Sequence, residues 1–590
     1  MNHLKMWQKE CLPKKIKEVD SMRKPLITLQ DFTFTYSDQN FPILKEINVT
    51  IYEGEKILVI GPSGSGKSTF ARCISGILPS KDNDDYTGTI TYGQDNEKKR
   101  ISNFLPNELA IHMEDSGEAV REREKEYSTG FSTAIQPFQS YLEQKKLAGM
   151  KWFLSKFPSL QESFSQLTDN QFEKMKTAGL FVNDKPLLIF DEPLANLDPK
   201  SGDLTMKFID SLERDTNSTV MIIEHRLEDA LAYPIDRLIL FSEGRIIADG
   251  NPSEILKTDI LSDIGIREPL YITAMRYAGV NLDYVHSLDN VDEVNGPNLR
   301  EDMERWLSYL PQFQYPSNDE VLLEIQDATF KYPWNKENII DDVSFKIMEG
   351  EILSLIGPNG SGKTTLVKIL SGQEKLKTGK LFWKGEEITD FNAQKMKKLV
   401  GYVPQNPLET ITQDNIYEEL SFRLKEEGYS EEEISHRVEK VIEVCSLQYI
   451  RDLPMNALSF GQLRRVAIAS VLALSPKMII VDEPTAGQDF LRYTEILNFL
   501  QSIHLQGVTV LLVTHDIHLM IEYTKRAIVV SKGKVIADAS PVYILVSPEI
   551  IERSSLKETS LFTFARHIGM KDPYVFTEKF IHYDRVARLF

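Results

Sequence analysis

The sequence predicts an α/β protein built from two tandem phosphate-binding units, each with a mainly parallel sheet covered by helices. Three observations support this prediction. The chain repeats itself after about 290 residues, each copy has a glycine-rich loop between an apolar strand and a helical stretch, and each copy has another apolar strand that ends in Asp-Glu-Pro. Strands of a parallel sheet are buried on both faces and are therefore apolar along their whole length, as these runs are.

The repeat is visible at four places along the 590 residues. The loops GPSGSGKST and GPNGSGKTT begin at Gly61 and Gly357, and the strands LLIFDEP and IIVDEP follow them. The strands IIEHR and LVTHD then bring His225 and His515, which are 290 residues apart (515 − 225). The stretches EPLY and ETSLF extend the repeat into the C-terminal part of each copy.

The positions of these repeated segments indicate the expected domain boundaries. We expect an N-terminal extension at 1–23, a first unit with its C-terminal extension at 24–310, a linker at 311–320 and a second unit with its C-terminal extension at 321–590. The linker is short, polar and bears proline, which is typical of a connection between two folded units.

The strands and helices follow from apolar runs and their neighbours. KILVI and EILSLI precede the two glycine loops, and STFARCISGI and TTLVKILSG continue them as helices. Further buried strands are predicted at Leu187–Phe190, Val220–Ile223, Met478–Val481 and Val508–Val513. Because these strands alternate with helical stretches, a largely parallel sheet is favoured.

Composition narrows the class of protein. The chain has 68 basic and 87 acidic side chains, a net charge of −19, which disfavours a protein that binds the phosphate backbone of nucleic acid. A hydrophobic content of 42% with 26% charged residues is typical of a folded globular chain.

The same survey predicts a cytosolic chain with no membrane span of its own. No apolar stretch approaches the 18 or more residues that a membrane span requires, and the first twenty residues lack the apolar segment of a secretory signal. Cys11, Cys73 and Cys445 are too few and too scattered for a disulfide framework or a four-thiolate metal site.

The glycine loops have the pattern of a phosphate cradle. Glycines allow successive backbone N–H groups to converge on phosphate oxygens, and the following helix adds the partial positive charge of its N-terminus. Lys67 and Lys363 are expected to reach the β- and γ-phosphates, and the hydroxyls of Ser68 and Thr364 are expected to bind Mg²⁺. The predicted nucleotide-binding residues of the loops are Gly61, Ser63, Gly64, Gly66, Lys67, Ser68 and Thr69, and Gly357, Asn359, Gly360, Gly362, Lys363, Thr364 and Thr365.

The Asp-Glu-Pro strands supply the predicted metal ligand and catalytic base. Asp191 and Asp482 would bind Mg²⁺ at a strand tip, and the next residues, Glu192 and Glu483, would polarise an attacking water. The two histidines that follow the next strand would contact the γ-phosphate and hold this water. A simpler interpretation is that the acidic residues only cap the strands and that the histidines are buried core residues. This interpretation is less favoured because both features recur beside a phosphate loop in both copies.

These residues resemble the nucleotide-binding domains of ABC-type ATPases. LSFGQ at Leu458–Gln462 is similar to the signature sequence of that family. The same spacing places LTDNQ at Leu167–Gln171 in the first copy, where Asp169 and Asn170 replace Phe460 and Gly461. The resemblance implies that each unit has an antiparallel β subdomain and a helical subdomain in addition to its main sheet.

The resemblance also implies that the two units pair head to tail around ATP and Mg²⁺. One site would combine the first glycine loop with Ser459, Gly461 and Gln462 of the intact signature, and the other would combine the second loop and the metal ligand Gln405 with LTDNQ. A carboxylate at Asp169 would repel a γ-phosphate. We therefore expect the first site to perform most of the hydrolysis.

Further positions match the family pattern in both copies. Tyr36 and Tyr332 match the aromatic residue that stacks on adenine, although a strand aromatic is often only a core residue. Glu114 aligns with Gln405 in our alignment. Asp198 and Asp489 match the loop that crosses between paired units, and neither aspartate has an obvious structural role.

The second unit resembles the ATPase subunits of energy-coupling factor (ECF) importers of vitamins and transition-metal ions, through VGYVPQNPLETI, IYEELSFRL and the segment around LSFGQ. This resemblance implies two membrane partners, a coupling subunit and a small substrate-binding subunit, contacted near Gln405 and Glu114 at the cytoplasmic face of the membrane. The alternative is an ABC-F-like protein that acts on the ribosome. It is disfavoured by the broken first signature, the short linker and the net charge of −19.

Overall fold

The computed structural model describes residues 23–37, 39–78, 84–93, 110–114, 186–195, 197–216, 218–311, 320–335, 337–388, 396, 398–486 and 488–588, with backbone alone at 110–114, 215 and 216. The chain forms two compact units. Unit 1 is built from the described residues of Met1–Ala195, Ser201–Arg276 and Asn281–Pro297, and unit 2 from those of Asn196–Lys200, Tyr277–Val280 and Asn298–Phe590.

Unit 1 contains an antiparallel sheet and a mainly parallel sheet. Its described strands are β1 Pro25–Thr35, β2 Leu44–Tyr52, β3 Lys56–Ile60, β4 Asp85–Tyr92, β5 Ala110–Glu114, β6 Leu187–Asp191, β7 Thr219–Ile223, β8 Arg237–Ser242 and β9 Arg245–Gly250. The antiparallel sheet has the order β2-β1-β4, and the main sheet has the order β5-β6-β7-β3-β8-β9, in which only β9 is antiparallel to its neighbour.

The core of unit 1 lies between these two sheets and the helix that follows the glycine loop. Every residue of β3, β6 and β7 is buried, which explains their continuous apolar sequences. The helices described between residues 23 and 311 are Lys67–Ile74, Pro199–Thr216, Leu227–Ala230, Pro252–Leu256, Ile260–Asp263, Leu270–Tyr277 and Leu299–Tyr309, with a 3₁₀ turn at Leu282–Tyr284.

Unit 2 repeats this architecture. Its described strands are β10 Val321–Phe330, β11 Ile340–Met348, β12 Ile352–Ile356, β13 Thr378–Trp383, β14 Glu386–Glu387, β15 Val400–Val403, β16 Met478–Asp482, β17 Thr509–Thr514, β18 Arg526–Ser531 and β19 Lys534–Ala539. They form an antiparallel sheet, β11-β10-β13-β14, and a main sheet, β15-β16-β17-β12-β18-β19. The fold class and the buried strands predicted from the sequence are confirmed.

The helices of unit 2 include the predicted helical subdomain. Beyond residue 320 the described helices are Lys363–Leu370, Ile416–Glu426, Glu431–Val444, Phe460–Leu472, Phe490–Leu505, Ile517–Tyr523, Pro541–Val546, Pro548–Ser554, Ser560–His567 and Pro573–Ala587, with 3₁₀ turns at Pro407–Glu409 and Met455–Ala457. The helices between residues 416 and 472 share one apolar core, which includes Leu420, Val438 and Val466.

The C-terminal part of unit 2 is helical, and helix Leu299–Tyr309 is assigned to the same unit. Trp306 packs edge-on against Tyr583, with ring centroids 5.5 Å apart. Within the described part of the chain, no helix combines the length and the apolar character that crossing a membrane requires.

Candidate functional site

Each glycine-rich loop curls around a buried lysine. In unit 1 the ammonium of Lys67 donates to the carbonyls of Gly61 (2.7 Å) and Pro62 (2.9 Å), and in unit 2 Lys363 donates to the two equivalent carbonyls at 2.8 and 3.0 Å. Each lysine begins the helix that follows its loop. The charge therefore lies where the converging backbone N–H groups and the helix N-terminus would meet a phosphate.

Glycine is required at two points in each loop. A side chain at Gly357 would place its Cβ 2.0 Å from the carbonyl oxygen of Val530, and one at Gly61 would place its Cβ 2.4 Å from the corresponding strand oxygen. Gly66 and Gly362 precede the helices with φ of 100° and 104°, a left-handed conformation that favours glycine. The other predicted phosphate contacts lie in the same loops or in the first helical turn: Ser63, Gly64, Ser68, Thr69, Asn359, Gly360, Thr364 and Thr365.

The predicted metal ligands and bases lie side by side at the ends of buried strands. Asp191 is the last residue of β6 and Asp482 is the last residue of β16. The next residues, Glu192 and Glu483, have φ of 50° and 44°. Left-handed backbone is costly for a residue with a side chain, and such strain concentrates at functional sites.

Each glutamate is hydrogen-bonded to the predicted histidine of its own unit. Glu192 Oε1 lies 3.0 Å from His225 Nε2, and Glu483 Oε1 lies 2.7 Å from His515 Nδ1. The side chain of Glu192 is 37% exposed whereas that of Glu483 is 11% exposed. The same pair of residues is thus more open in unit 1.

The residue before each histidine was not singled out by the sequence, yet it contacts the site. In unit 2 the hydroxyl of Thr514 donates to Glu483 Oε2 at 3.1 Å. In unit 1 the same place holds Glu224, a buried carboxylate that accepts the N–H of Leu194 (2.7 Å) and of His225 (3.0 Å). The sequence signal for this difference is the pairing of IIEHR with LVTHD.

Asp482 lies in a buried, negatively charged environment. Burial, together with the neighbouring Glu483, raises its pKa to about 6, and the hydroxyl of Tyr402, 3.3 Å from Asp482 Oδ2, opposes the increase. Burial lowers the pKa of Lys363, and the charges of Glu483 and Asp482 oppose that decrease. Additional positive charge close to these carboxylates would therefore stabilise the site.

The two predicted base-stacking tyrosines have different neighbours. The Tyr36 hydroxyl lies 3.2 Å from that of Thr69. Tyr332 is stacked on Trp334, with ring centroids 4.9 Å and planes 7° apart, and Trp334 is 77% exposed. Trp334 was not singled out from the sequence, although a second aromatic residue two positions after the predicted stacking tyrosine is visible there.

The LSFGQ segment begins a helix in unit 2. The hydroxyl of Ser459 accepts the N–H of Gln462 at 3.3 Å, and Gln462 Oε1 accepts the N–H of Ser459 at 2.8 Å, which completes a capping box. A Cβ at Gly461 would meet only Gln488 Oε1, at 3.8 Å. The fold of unit 2 therefore does not demand glycine at this position.

Arg464, which the sequence did not single out, ties this helix to two predicted site loops. It is buried, and its guanidinium donates to the carbonyl of Gln405 at 2.8 Å and to that of Pro484. Its pKa falls to about 10 because of burial.

Two family models match this chain. The model described as ABC transporter matches residues 44–195 and 340–486, about half of the chain, and a model described as ATP-binding cassette cobalt transporter matches residues 258–330. A relative from Enterococcus faecalis, described as an ABC transporter ATP-binding protein, is 42% identical over 587 residues and covers 96% of this chain and all of the relative. This chain belongs to the ABC transporter family.

A relative and a solved structure extend the comparison. A Clostridium perfringens ABC transporter ATP-binding protein is 39% identical over 573 residues, with the same coverage. The structure of cbiO1 from Clostridium perfringens, part of the ABC transporter complex cbiONQ, is 30% identical and covers 40% of this chain and 94% of its own, with a TM-score of 0.37. The two ABC domains make this protein an ATP-binding ATPase.

In this ABC ATPase, Glu114 does not occupy the position of Gln405. Strand register pairs Glu114 with Asp191, whereas Val403 pairs with Val481, so Glu114 matches Pro404 and not Gln405. The residue after Glu114, which would match Gln405, lies outside the described residues, as do Asp169 and Asn170 of LTDNQ.

Asp489 also differs from the expectation based on the sequence. It caps helix Phe490–Leu505 by accepting the N–H of Arg492 at 3.0 Å, and it therefore has a structural role that the sequence analysis did not expect. Asp198 is buried immediately before helix Pro199–Thr216.

The side chains present fit a magnesium nucleotide. Buried hydroxyls of Ser65 and Ser361 lie in the glycine loops with no hydrogen-bond partner among the described residues, as expected of a cradle built for an external acceptor. Mg²⁺ needs only one or two protein carboxylates when phosphates and water complete its shell. The predicted protein ligands are Ser68 and Asp191 in unit 1, and Thr364, Asp482 and Gln405 in unit 2.

Proposed function

We propose that this ABC ATPase is the motor subunit of an ECF-type importer, which takes up a vitamin or a transition-metal ion through partner membrane subunits. One observation carries the proposal: the model described as ATP-binding cassette cobalt transporter matches residues 258–330, within a chain that aligns along 96% of its length with transporter ATP-binding proteins. The partners would bring the chain to the cytoplasmic face of the membrane.

In each unit the glycine loop holds the phosphates and the Glu–His pair holds the attacking water. The carboxylate of Glu192 or Glu483 would accept a proton from that water, while His225 or His515 fixes the carboxylate and contacts the γ-phosphate. Bound Mg²⁺ would neutralise the negative charge that develops on the phosphate oxygens.

We also propose that the units pair head to tail, so that the first glycine loop works with the LSFGQ segment of unit 2. A double variant tests this pairing. With Glu483→Gln present, the remaining ATPase activity would come from the site of Glu192, and a further Ser459→Arg change is expected to abolish it. Activity that survives this change would contradict head-to-tail pairing and leave the two separate ATPase sites intact.

The segment after Gln405 supports a docking role toward a membrane subunit. Asn406 caps the 3₁₀ turn Pro407–Glu409, and this turn presents Leu408, which is 58% exposed. Tyr417 and Phe422, on the helix Ile416–Glu426, are 36% and 38% exposed. Apolar side chains exposed beside a catalytic loop are suited to a partner that senses nucleotide.

Co-purification tests the proposed function. We expect the chain, affinity-purified from detergent-solubilised membranes, to bring a hydrophobic multi-span partner with it. Leu408→Ser should weaken this association at least fivefold, whereas Leu505→Ser, at a leucine that is 77% exposed on another helix, should not. Association with ribosomes instead would support the ABC-F alternative.

The substrate class needs a cellular test. A strain that lacks the gene should require more of one vitamin or one metal ion for growth, and radiolabelled uptake of that compound should return with the wild-type chain but not with Glu192→Gln. Label that leaves energised cells faster when the wild-type chain is present would contradict import.

A further inference from the structure

The position before the site histidine separates the two units. It is Glu224 in unit 1 and Thr514 in unit 2, at the same 290-residue offset as His225 and His515 (514 − 224). We propose that Glu224 is a positioning residue of the unit 1 ATPase site. It joins the loop after β6 to the loop after β7 by hydrogen bonds, and among the described residues it leaves the side chain of His225 to hold the carboxylate of Glu192.

Both oxygens of Glu224 are occupied by backbone donors. Oε1 accepts the N–H of Leu194 at 2.7 Å, and Oε2 accepts the N–H of His225 at 3.0 Å and that of Arg226 at 3.4 Å. Leu194 lies two residues after Glu192, so one carboxylate joins the loop of the base to the loop of the histidine. Glu224 is 2% exposed, and water does not compete for these bonds.

Thr514 performs a different task in unit 2. Its hydroxyl donates to Glu483 Oε2 at 3.1 Å and accepts the N–H of Asp516 at 3.0 Å. Because His515 contacts the other oxygen of Glu483, both oxygens of that carboxylate are held. The base of unit 2 is therefore fixed from two sides, and its exposed fraction is correspondingly low.

Glu224 cannot hold Glu192 in this way. Both of its oxygens already accept backbone N–H groups, and a carboxylate that accepts these bonds has no proton to donate to Glu192. Among the described residues, the side chain of Glu192 has His225 as its only hydrogen-bond partner. Burial raises the pKa of Glu224, and the N–H of Leu194 and the charge of Arg226 oppose the increase.

The loop after β6 depends on its hydrogen bond to Glu224 because the backbone of this loop is strained. Glu192 has a left-handed φ of 50°, and its own N–H is fixed to the carbonyl of Ile223 at 2.8 Å. Removing the Glu224 carboxylate would leave the N–H of Leu194 without its acceptor, and relaxation of the loop would move Glu192 relative to His225. The side-chain hydrogen bonds described for Glu224 go to the N–H groups of Leu194, His225 and Arg226, which lie outside the glycine loop, so we expect nucleotide affinity to change little.

The inference requires that Glu192 serves hydrolysis in unit 1, and it does not depend on a transport role. Full-length protein with Glu483→Gln isolates the turnover of unit 1. In this background we expect Glu224→Ala to lower kcat about tenfold or more, as expected when buried N–H groups lose their acceptor, with KM for ATP changed less than about twofold. Glu224→Gln keeps one carbonyl acceptor and should recover at least a third of the parent kcat.

Glu55→Ala is the matched control. Glu55 is also a buried glutamate of unit 1 that accepts a backbone N–H, that of Tyr52 at 3.0 Å, and its other described partners include Arg237. We expect this change to lower thermal stability but not kcat per folded molecule, which circular dichroism would quantify for all variants.

Three outcomes would overturn the inference. The first is a Glu224→Ala protein with kcat within twofold of its parent, and the second is a Glu224→Gln protein as slow as Glu224→Ala. The third is a loss of kcat in proportion to the loss of folded protein, as in Glu55→Ala. If Glu192→Gln does not abolish ATP turnover in the Glu483→Gln protein, Glu192 is not the catalytic residue of unit 1. The positioning role of Glu224 is then wrong as well.

Discussion

The two units share the geometry of their glycine loops and differ around the proposed catalytic glutamate. Lys67 and Lys363 make the same pair of loop contacts within 0.1 Å of each other, at 2.7 and 2.9 Å against 2.8 and 3.0 Å. The carboxylates of Glu192 and Glu483, in contrast, are 37% and 11% exposed and have one and two side-chain partners among the described residues. The duplicated chain thus preserves the geometry of the glycine loop and varies the contacts of the proposed base.

The largest loss of activity is expected from substitution of the proposed catalytic glutamates. We expect Glu192→Gln to lower the steady-state ATPase rate of the whole chain about 100-fold, because loss of a general base typically costs this much, and Glu483→Gln to lower it less than threefold. The reason is that the site of Glu192 is proposed to pair with the intact signature. Phosphate release measured on both purified variants checks this prediction.

Nucleotide binding is the control for that comparison. Both variants should still bind a fluorescent ATP analogue in two equivalents, since neither change touches a glycine loop. A larger loss of activity in Glu483→Gln would reverse the proposed order of the sites and show that the more enclosed base is the active one.

Much of this comparison could be predicted from the sequence, and the limits have physical causes. Glycine loops, apolar strands and Asp-Glu-Pro endings are local signals, so the helix that begins at Lys67 and the strand that ends at Asp191 could be located from the sequence. Arg464 was missed because its two carbonyl partners come from loops that are distant in sequence. Glu114 was aligned one residue away from its true match. The alignment depends on strand register, which the sequence does not show.

Loss of Arg464 should affect unit 2 next most strongly. Arg464→Ala removes a buried guanidinium that joins helix Phe460–Leu472 to two loops, and we expect a loss of about 3 kcal/mol in the unfolding free energy of unit 2. At the spacing that aligns the two signatures, unit 1 has Glu173 at this position. In the Arg464→Ala protein, hydrogen exchange should rise in the unit 2 peptides around Gln405 and Pro484. It should not rise in the unit 1 strands β6 and β7. Unchanged exchange in the unit 2 peptides would contradict the structural role.

Removal of the Thr514 hydroxyl should make unit 2 resemble unit 1. In a Glu192→Gln background, Thr514→Val takes away one of the two bonds to Glu483, and we expect kcat to fall about three- to tenfold with KM unchanged. Thr509→Val is the matched control, since Thr509 is a buried threonine of the same strand whose hydroxyl accepts the N–H of Gly350 at 2.8 Å. Equal losses from both changes would show that the hydroxyl of Thr514 contributes only to folding.

The smallest effect expected is on the pH dependence of stability, and it arises from Glu224. Burial raises the pKa of Glu224 above its ordinary value of 4.5, so the folded chain binds this proton more tightly than the unfolded chain does. The unfolding free energy must then fall as pH rises from about 4.5 through the folded pKa, and the backbone N–H groups that oppose the pKa increase keep this change small. Glu224→Gln does not titrate, and neither does Thr514 at the matching position. Measured as thermal unfolding midpoints, the stability of the parent relative to Glu224→Gln should therefore be greater at pH 5 than at pH 8. A difference that is constant with pH, or that grows toward pH 8, would mean that the backbone donors outweigh burial and hold Glu224 ionised throughout.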